Sequence, residues 1–334
     1  GSRDGQLVVV SRDLTLAHYA TGMASRLQQV LDDWGFLSPQ LESLYEALNA
    51  GQARHPFPFD PTQCLAPLPR AYQWAEGRAY AQSARATLEA RPDEASPHTS
   101  GPRLTRGCAG QLLGPLDAIE LAPDATDIDF GAGLAVITGD VRAGATPEQA
   151  LEGIRLVMLV NAMTLADVLP SSVTEISPAP RRPATAFSPV AVTPDELGDA
   201  WQAGRVHLTL QVHWNARKVG LCPTGPDMSF HFGQLMARLA ANQPIGAGCL
   251  VASGPVGNHA VAQAETLSWP GGYASIAEKR AIEIIQTGQA ATAFMQFGDT
   301  VRIEMKGLDG RPMFGAIEQR LAQQRVPTAS KRPR

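Results

Sequence analysis

A cysteine between glycines is the first feature of the sequence that suggests chemistry. In Gly107-Cys108-Ala109-Gly110 the small neighbours leave a thiol accessible, and a thiolate is a nucleophile where a nearby base or cation lowers its pKa. No base stands at a defined spacing from Cys108. Covalent catalysis through this thiol is therefore kept only as a third hypothesis.

A glycine-rich run, Ser253-Gly254-Pro255-Val256-Gly257-Asn258, resembles a phosphate-binding loop in composition alone. It lacks the Lys-Ser/Thr ending and the following helix that such a loop requires, so we predict a tight turn between strands. The sequence also contains no GxSxG, no HExxH and no cysteine-histidine spacing typical of zinc. Motifs alone therefore do not assign a function.

One histidine stands where a helix is predicted to begin, in Ser229-Phe230-His231-Phe232. There an imidazole is able to act as a general acid or base. Packing between the two phenylalanines is an equally good interpretation of His231, and the sequence leaves both open.

Alternating side chains predict the strands that position these residues. Apolar and polar residues alternate over 205–214 and again over Val301, Ile303 and Met305, where Asp309-Gly310 follows as a hairpin turn. Predicted helices are short: one begins at Thr146-Pro147 and another is capped by Ser229. Strands dominate without regular βαβ alternation, so we predict an α+β fold with a large mixed or antiparallel sheet.

Proline-rich and polar stretches suggest the domain organisation. A connector over 54–72 separates a predicted N-terminal domain, 1–75, from a larger domain, 76–325, and the basic end, 326–334, is predicted to be a disordered tail. Two polar stretches, 85–106 and 170–183, read as loops, and we expect them to close over an active site.

Composition excludes several classes of protein. The chain has 334 residues and a net charge of -4, which disfavours a nucleic-acid surface, and no apolar run is long enough to span a membrane. Its beginning lacks the pattern of a secretory signal, and its four cysteines lie far apart. We therefore expect free thiols in a cytoplasmic protein.

Several blocks of sequence, in conserved order, resemble the fumarylacetoacetate hydrolase family. They cover most of the chain, and their residues are 57–70, 113–115, 127–130, 184–189, 273–278 and 297–304. The resemblance implies a small β-rich N-terminal domain, a larger C-terminal domain with a mixed β-roll, and a homodimer. It also implies a divalent cation, usually Mg²⁺, held by carboxylates, which chelates a 1,3-dicarbonyl or 2-oxo acid while a bond is cleaved or rearranged.

The departures from the family pattern fall on the metal ligands. Where the family has Glu-x-Glu, this chain has Gly131-Ala132-Gly133, and where it has an aspartate, this chain has Ala162. Arg85 aligns with a further acidic position. A divalent cation needs several oxygen ligands to compensate for its lost hydration, so we predict that the family's Mg²⁺ site is absent, with no metal ligand and no cofactor.

The resemblance also assigns candidate site residues. Glu278 matches the family's catalytic glutamate, Arg182 its lysine, and Thr105, followed by Arg106, a substrate-binding tyrosine. We predict that Arg182 and Arg106 stabilise an oxyanion and that Glu278, assisted by His231, moves a proton. The remaining predicted substrate-binding positions are Arg85, Gly131, Gly133 and Pro255, with the two glycines opening space in the pocket.

Two main functional hypotheses follow. In the first, the chain is a metal-independent enzyme acting on a β-dicarbonyl or 2-oxo-acid-like small molecule, by C–C cleavage, decarboxylation or cyclisation, as in secondary metabolism. In the second, it is a non-catalytic relative that serves as a partner subunit or small-molecule binder. Substitution of Arg182 or Glu278 separates them, because only the first hypothesis predicts loss of activity.

Overall fold

The computed structural model describes residues 3–89, 101–165, 182–263 and 266–324. The predicted tail, 326–334, and most of the predicted loop 170–183 lie outside these residues, as does the middle of the stretch 85–106. The described ends of 85–106 were predicted to be loop but form a helix, Ala84–Glu89, and a strand, Leu104–Arg106. Strands predominate over helices and the two large sheets are both mixed, which confirms the predicted α+β fold. None of the described helices is long and apolar enough to cross a membrane.

The N-terminal region combines a small antiparallel sheet with two consecutive helices. Its elements are β1 (Val8–Val10), β2 (Leu16–Tyr19), α1 (Leu27–Asp32), α2 (Trp34–Asn49) and β3 (Phe57–Pro58). The helix α2 begins at Trp34 and contains Pro39 as its sixth residue. Because proline has no N–H, the hydrogen bond to the Gly35 carbonyl, four places earlier, is missing from this helix.

A six-stranded mixed sheet forms the centre of the molecule. In pairing order its strands are β11 (Thr185–Phe187), β9 (Ile154–Ala162), β8 (Ala132–Thr138), β16 (Leu250–Ala252), β4 (Trp74–Gly77) and β5 (Leu104–Arg106). β16 and β4 run parallel and the other neighbours antiparallel. β4 begins at Trp74, so the domain boundary proposed at residue 75 falls inside a strand of this sheet.

Both faces of the central sheet are covered, so β8 is buried along its whole length. Successive side chains of a strand point to opposite faces. Leu134 and Val136 accordingly join the main core, whereas Ala135 and Ile137 join a second core that includes Leu31 of the N-terminal region. The N-terminal region therefore packs on one face of the sheet.

A five-stranded sheet contributes to the core on the other face. Its strands in pairing order are β15 (Arg217–Pro223), β14 (Thr209–Trp214), β19 (Thr300–Met305), β20 (Ile317–Gln323) and β6 (Ile119–Leu121). The alternation read from the sequence is confirmed here: Val301, Ile303 and Met305 are buried between exposed or half-buried neighbours. The pairing of β19 with β20 confirms the hairpin around Asp309-Gly310.

Short elements complete the fold around the edge of the sheets. They are α3 (Ala84–Glu89), β7 (Ile128–Asp129), α4 (Pro147–Leu151), β10 (Thr164–Leu165), β12 (Trp201–Gln202), β13 (Arg205–Val206), α5 (Phe232–Leu239), β17 (Val261–Gln263), β18 (Thr266–Ser268), α6 (Ile276–Thr287) and 3-10 turns at Pro61–Gln63 and Pro194–Ala200. Thr146 caps α4 as predicted. The residue that caps α5 is His231, not Ser229, whose hydroxyl instead accepts a hydrogen bond from the Ala81 N–H.

Candidate active site

A buried ion pair lies at the sheet edge where the predicted site residues meet. Glu76, on β4, is 5% exposed, and its carboxylate pairs with the Arg182 guanidinium, which stands shortly before β11. The Arg182 side chain is 18% exposed. A carboxylate in a strand that is otherwise apolar or glycine is stable there because the guanidinium compensates its charge.

Burial raises the pKa of Glu76, while Arg182, Arg85 and Arg78 oppose that rise. Burial disfavours the charged form of an acid, and nearby cations favour it. Glu76 therefore lies within the electrostatic influence of three arginines, two of which, Arg182 and Arg85, were predicted site residues. A carboxylate whose pKa is raised accepts a proton more readily than an ordinary glutamate does.

Glu278 is placed next to Arg85 by the start of α3. Its two carboxylate oxygens accept hydrogen bonds from the Ala84 N–H at 2.8 Å and the Arg85 N–H at 3.0 Å. These are unpaired amides at the beginning of a helix, which carboxylates cap favourably. Burial raises the pKa of Glu278, and the two backbone hydrogen bonds oppose that rise.

Asp129 caps the start of α6 in the same way as Glu278 caps the start of α3. From β7 it accepts hydrogen bonds from the Ile276 N–H at 2.6 Å and the Ala277 N–H at 2.9 Å, at the start of α6. Burial raises the pKa of Asp129 to about 6, although these hydrogen bonds and Arg85 oppose the rise. Asp129 thus fixes the start of the helix that carries Glu278.

The structure brings together Glu278, Arg85, Arg182 and Thr105 from the predicted set. Thr105 pairs directly with Glu76 across β4 and β5, and its hydroxyl donates to the Glu76 backbone oxygen at 3.4 Å. Glu76 was missed by the sequence analysis. The available signal was one charged residue within the strand-like run Trp74-Ala75-Glu76-Gly77.

Arg106 is not positioned as predicted. It follows Thr105 on the strand, and because neighbouring residues point to opposite faces, it points away from Glu76 and Arg182. Arg106 is exposed and lines a cavity of about 800 Å³ at the outer edge of β5. This orientation does not direct Arg106 towards the Arg182 guanidinium, and the predicted action of both on the same oxyanion stays a prediction.

His231 lies in different surroundings. It precedes α5, where Glu148 of α4 and Arg205 influence its pKa. Its Nδ1 is buried and has no hydrogen-bond partner among the residues that the structure describes. Burial, together with Arg205, lowers its pKa. Across the part of the chain that the structure describes, no hydrogen bond or ion pair joins His231 to Glu76, and its predicted catalytic role stays a prediction. The third candidate nucleophile, Cys108, is an exposed free thiol.

The two glycines that replace the family's ligands do not open space. A Cβ atom at Gly131 would lie 2.5 Å from the Ala162 backbone oxygen and 3.2 Å from the Pro255 ring, and one at Gly133 would lie 2.4 Å from the Gly254 backbone oxygen. Backbone of the turn that contains Pro255 thus fills the volume a side chain would need. The predicted pocket at Gly131 and Gly133 is not present.

The donor set does not fit the family's divalent cation. The two ligand positions at the start of β8, Gly131 just before it and Gly133 within it, are glycines whose surroundings exclude a side chain. The nearby carboxylates of Asp129 and Glu278 already accept backbone hydrogen bonds. Within residues 3–89, 101–165, 182–263 and 266–324, no group of three or more His, Cys, Asp or Glu side chains is arranged to hold a metal ion.

Comparison with known families covers almost the whole chain. Residues 1–70 match the family described as "Fumarylacetoacetase N-terminal domain 2", and residues 73–322 match "Fumarylacetoacetate (FAA) hydrolase C-terminal". No curated protein matches the sequence.

Solved structures share the fold at low sequence identity. A probable 2-hydroxyhepta-2,4-diene-1,7-dioate isomerase from Mycobacterium abscessus has a TM-score of 0.65 and 14% identity, with 96% of each chain covered. Fumarylacetoacetate hydrolase from Exiguobacterium antarcticum has a TM-score of 0.61 and 18% identity, covering 96% of this chain and 95% of that one. Maleylpyruvate hydrolase from Sphingobium sp. SYK-6 has a TM-score of 0.61 and 14% identity, covering 96% and 97%.

Proposed function

The chain belongs to the fumarylacetoacetate hydrolase family, and on that basis we propose that it is an enzyme acting on a β-dicarbonyl or 2-oxo-acid-like small molecule without the family's carboxylate-bound cation. The reaction class is C–C bond cleavage, decarboxylation or cyclisation. The structural relatives that carry enzyme names, two hydrolases and an isomerase, support chemistry on small carboxylic acids.

The buried pair of Glu76 and Arg182 is the observation that carries this proposal. Each of these reactions builds negative charge on a carbonyl oxygen as an enolate forms. A guanidinium with five N–H donors stabilises such charge, and pairing with one carboxylate does not exhaust those donors. Arg182 therefore takes the electrostatic role for which the family uses its cation.

Proton transfer falls to a carboxyl group of the same cluster. Glu76 lies beside Arg182, and burial raises its pKa, which makes its carboxylate a stronger base than an ordinary glutamate. Glu278 is the alternative carrier, but both of its oxygens accept backbone hydrogen bonds. We assign proton transfer to Glu76 and the positioning of Arg85 to Glu278.

Turnover of a substrate panel tests the proposal. Acylpyruvates, bulkier β-diketones and 2-oxo acids are followed by ultraviolet absorbance, with and without a chelator, in the unchanged protein and in Arg182→Gln, Glu76→Gln and the control Arg142→Gln. Arg142 is exposed and lies in a loop before α4. We expect chelator-resistant turnover that falls at least about a hundredfold in the first two variants and is unchanged in the control. Turnover that requires added Mg²⁺ would overturn the metal-independent assignment.

A non-catalytic role is the second candidate, and one observation favours it. Asp129 and Glu278 cap helices, and Glu76 neutralises Arg182, so each charged group of the cluster has a structural partner. Under this hypothesis no member of the panel is turned over, and Arg182→Gln alters folding alone.

The proposal of an enzyme also includes a cytoplasmic location, a homodimer and a place in secondary metabolism. Light scattering of the purified protein tests the homodimer.

A further inference from the structure

A cavity lies between the N-terminal region and the segment that follows β11. This N-terminal cavity has a volume of about 930 Å³, and its lining includes β1, one face of α2 and residues 189–193. Most of the described residues that line it are apolar. None of them belongs to the candidate active site, so the two sites share no residue within the part of the chain that the structure describes.

The apolar lining of the N-terminal cavity is only partly covered by protein. Val8, Val9 and Val10 of β1 are all half-buried. Tyr19 is 44% exposed, and the centre of its ring lies 4.8 Å from the centre of the Phe57 ring. Contact between water and apolar or aromatic surface is unfavourable, and a concave site of this volume is typical of small-molecule binding. The lining therefore favours a ligand with an apolar body.

One face of α2 brings negative charge to the same cavity. The residues of α2 that line it include Ser38, Leu41, Glu42, Tyr45 and Glu46, and residues three or four apart share one face of a helix. Glu42 and Glu46 are both exposed and stand four residues apart, so their charges repel each other. A cation bound beside both carboxylates would remove this repulsion.

Acidic residues outnumber basic ones around the cavity. Among its described lining residues only Arg12 is basic, whereas six are acidic, namely Asp4, Glu42, Glu46, Asp60, Asp195 and Glu196. Arginines pair with Asp4 and Glu196. Glu42, Glu46 and Asp195 form no ion pair with any residue that the structure describes. Three carboxylates therefore remain to interact with a positively charged ligand.

Arg12 shows how a cation binds at this surface. Its guanidinium lies 3.1 Å from the Glu196 carboxylate and 5.9 Å from the centre of the Tyr45 ring. A carboxylate and the face of an aromatic ring both attract a cation. The neighbouring residues of α2 offer the same combination, because Glu42 and Glu46 stand on either side of Tyr45 along one face of the helix.

We propose that the N-terminal cavity binds a small molecule with an apolar body and a protonated amine. The apolar body covers the half-buried valines of β1 and the ring pair of Tyr19 and Phe57, and the amine lies beside Glu42 and Glu46. Binding at this cavity goes beyond the proposed function and requires no turnover, so either one can fail without the other.

Titration calorimetry with phenylbutylamine tests this assignment. The unchanged protein is compared with Glu42→Gln/Glu46→Gln and with the matched control Glu120→Gln/Glu152→Gln, in which two exposed acids outside the cavity lose their charge. We expect saturable binding that weakens about fivefold in the cavity variant, because two exposed charge interactions are lost, and is unchanged in the control. All four substituted positions are exposed, and equal melting temperatures verify that the variants are folded.

The chemistry of the ligand is tested by exchanging its charged end. Phenylbutanol and phenylbutyrate keep a similar apolar body, and we expect both to bind more weakly than phenylbutylamine, with the carboxylate weakest because the acids repel it. Four results would overturn the assignment. They are absence of saturable binding of the amine, an equal loss in the control variant, binding of the alcohol or the carboxylate as tight as that of the amine, and, by light scattering, a dimer that phenylbutylamine dissociates. The last result would assign the cavity to a second copy of the chain.

Discussion

At the scale of single residues, each buried carboxylate lies next to a group that compensates for its charge. Glu76, Asp129 and Glu278 are all at most 5% exposed. Glu76 is compensated by a guanidinium, and the other two by backbone amides at helix starts. Ionised carboxylates are very rarely found in an interior without such partners, so each partner is a place where substitution should have a measurable effect.

Substitution of one member of the buried Glu76–Arg182 pair should lower the free energy of unfolding by more than substitution of both. Glu76→Gln leaves the Arg182 guanidinium buried without its counter-charge, and we expect the free energy of unfolding to fall by about 3 kcal/mol. Urea denaturation of Glu76→Gln, Arg182→Gln and the double variant measures the coupling between the two side chains. Additive losses in the double variant would show that the pair contributes no interaction energy.

Asp129 should make stability depend on pH. Because burial raises its pKa from 3.8 to about 6, the folded protein holds this proton more tightly than the unfolded chain. Its contribution is fully present below pH 3.8 and is lost as the pH rises through 6, by about 3 kcal/mol. Denaturation between pH 3.5 and 7 should show this decrease, and Asp129→Asn should reduce its slope. An identical slope in both proteins would contradict the assignment.

At the scale of elements, two carboxylates link the starts of two helices, α3 and α6, that are far apart in the chain. Asp129 holds the start of α6, and Glu278, in the first turn of α6, holds the start of α3. α3 in turn carries Arg85 towards the cluster. The site is therefore assembled by helix capping, because short helices gain little stability from their own hydrogen bonds.

Glu278→Gln should loosen the start of α3. An amide NH2 group, which donates, replaces one of the two accepting carboxylate oxygens, and the charge is lost. We therefore expect a loss of about 1–2 kcal/mol in the free energy of unfolding and faster hydrogen exchange at the Ala84 and Arg85 amides. Glu283→Gln is the matched control on the same helix, since Glu283 accepts from the Ala291 and Thr292 N–H groups instead. In Glu283→Gln, faster hydrogen exchange should be confined to the Ala291 and Thr292 amides. Faster exchange at Ala84 in this control would contradict the assignment of Glu278 as the cap of α3.

The glycines of β8 should not tolerate even a methyl group. Gly133→Ala places a carbon 2.4 Å from the Gly254 backbone oxygen, and we expect destabilisation by about 3 kcal/mol because backbone must shift. Gly246→Ala is the control, with no atom within 4 Å of its added carbon. Thermal denaturation compares them. If Gly131→Glu/Gly133→Glu folded normally and bound Mg²⁺, the close packing here would be disproved.

At the scale of the whole molecule, the N-terminal region is part of the folding unit of the central sheet. Leu31 and Leu68 share a core with Trp74, Met158 and Leu250. Polar contacts also join the N-terminal region to the rest of the chain: Arg12 donates to the Glu196 carboxylate, and the Tyr45 hydroxyl donates to the same carboxylate at 2.7 Å. A shared apolar core of this kind couples the two regions, because neither covers its buried surface alone.

Leu31→Ala should therefore lower the stability of the entire protein. We expect a loss of about 3 kcal/mol from the cavity left in the shared core, with tryptophan fluorescence and far-ultraviolet circular dichroism reporting one common transition. Leu308→Ala, at a side chain that is 71% exposed, should change little. Separate transitions for the N-terminal region and the sheet would show that the two are independent.

Much of the fold followed from local sequence. Alternating apolar residues identified β14 and β19, Thr146-Pro147 identified the start of α4, and Asp309-Gly310 identified a hairpin. These features depend on residues close together in the chain, whose periodicity and backbone preferences act locally. The ordered family blocks likewise gave the family, which the match over 73–322 confirms.

The arrangement of the site was decided by tertiary structure. Glu76 pairs with Arg182, more than a hundred residues away in the chain and just before the strand at the far edge of the same sheet, a contact that no local sequence pattern specifies. Arg106 points away from that pair because strand pairing places Thr105, not Arg106, opposite Glu76. Gly131 and Gly133 leave no pocket because distant backbone packs against them. Sequence determines which residues alternate along a strand, but the register between distant strands, which forms only on folding, determines which of them touch.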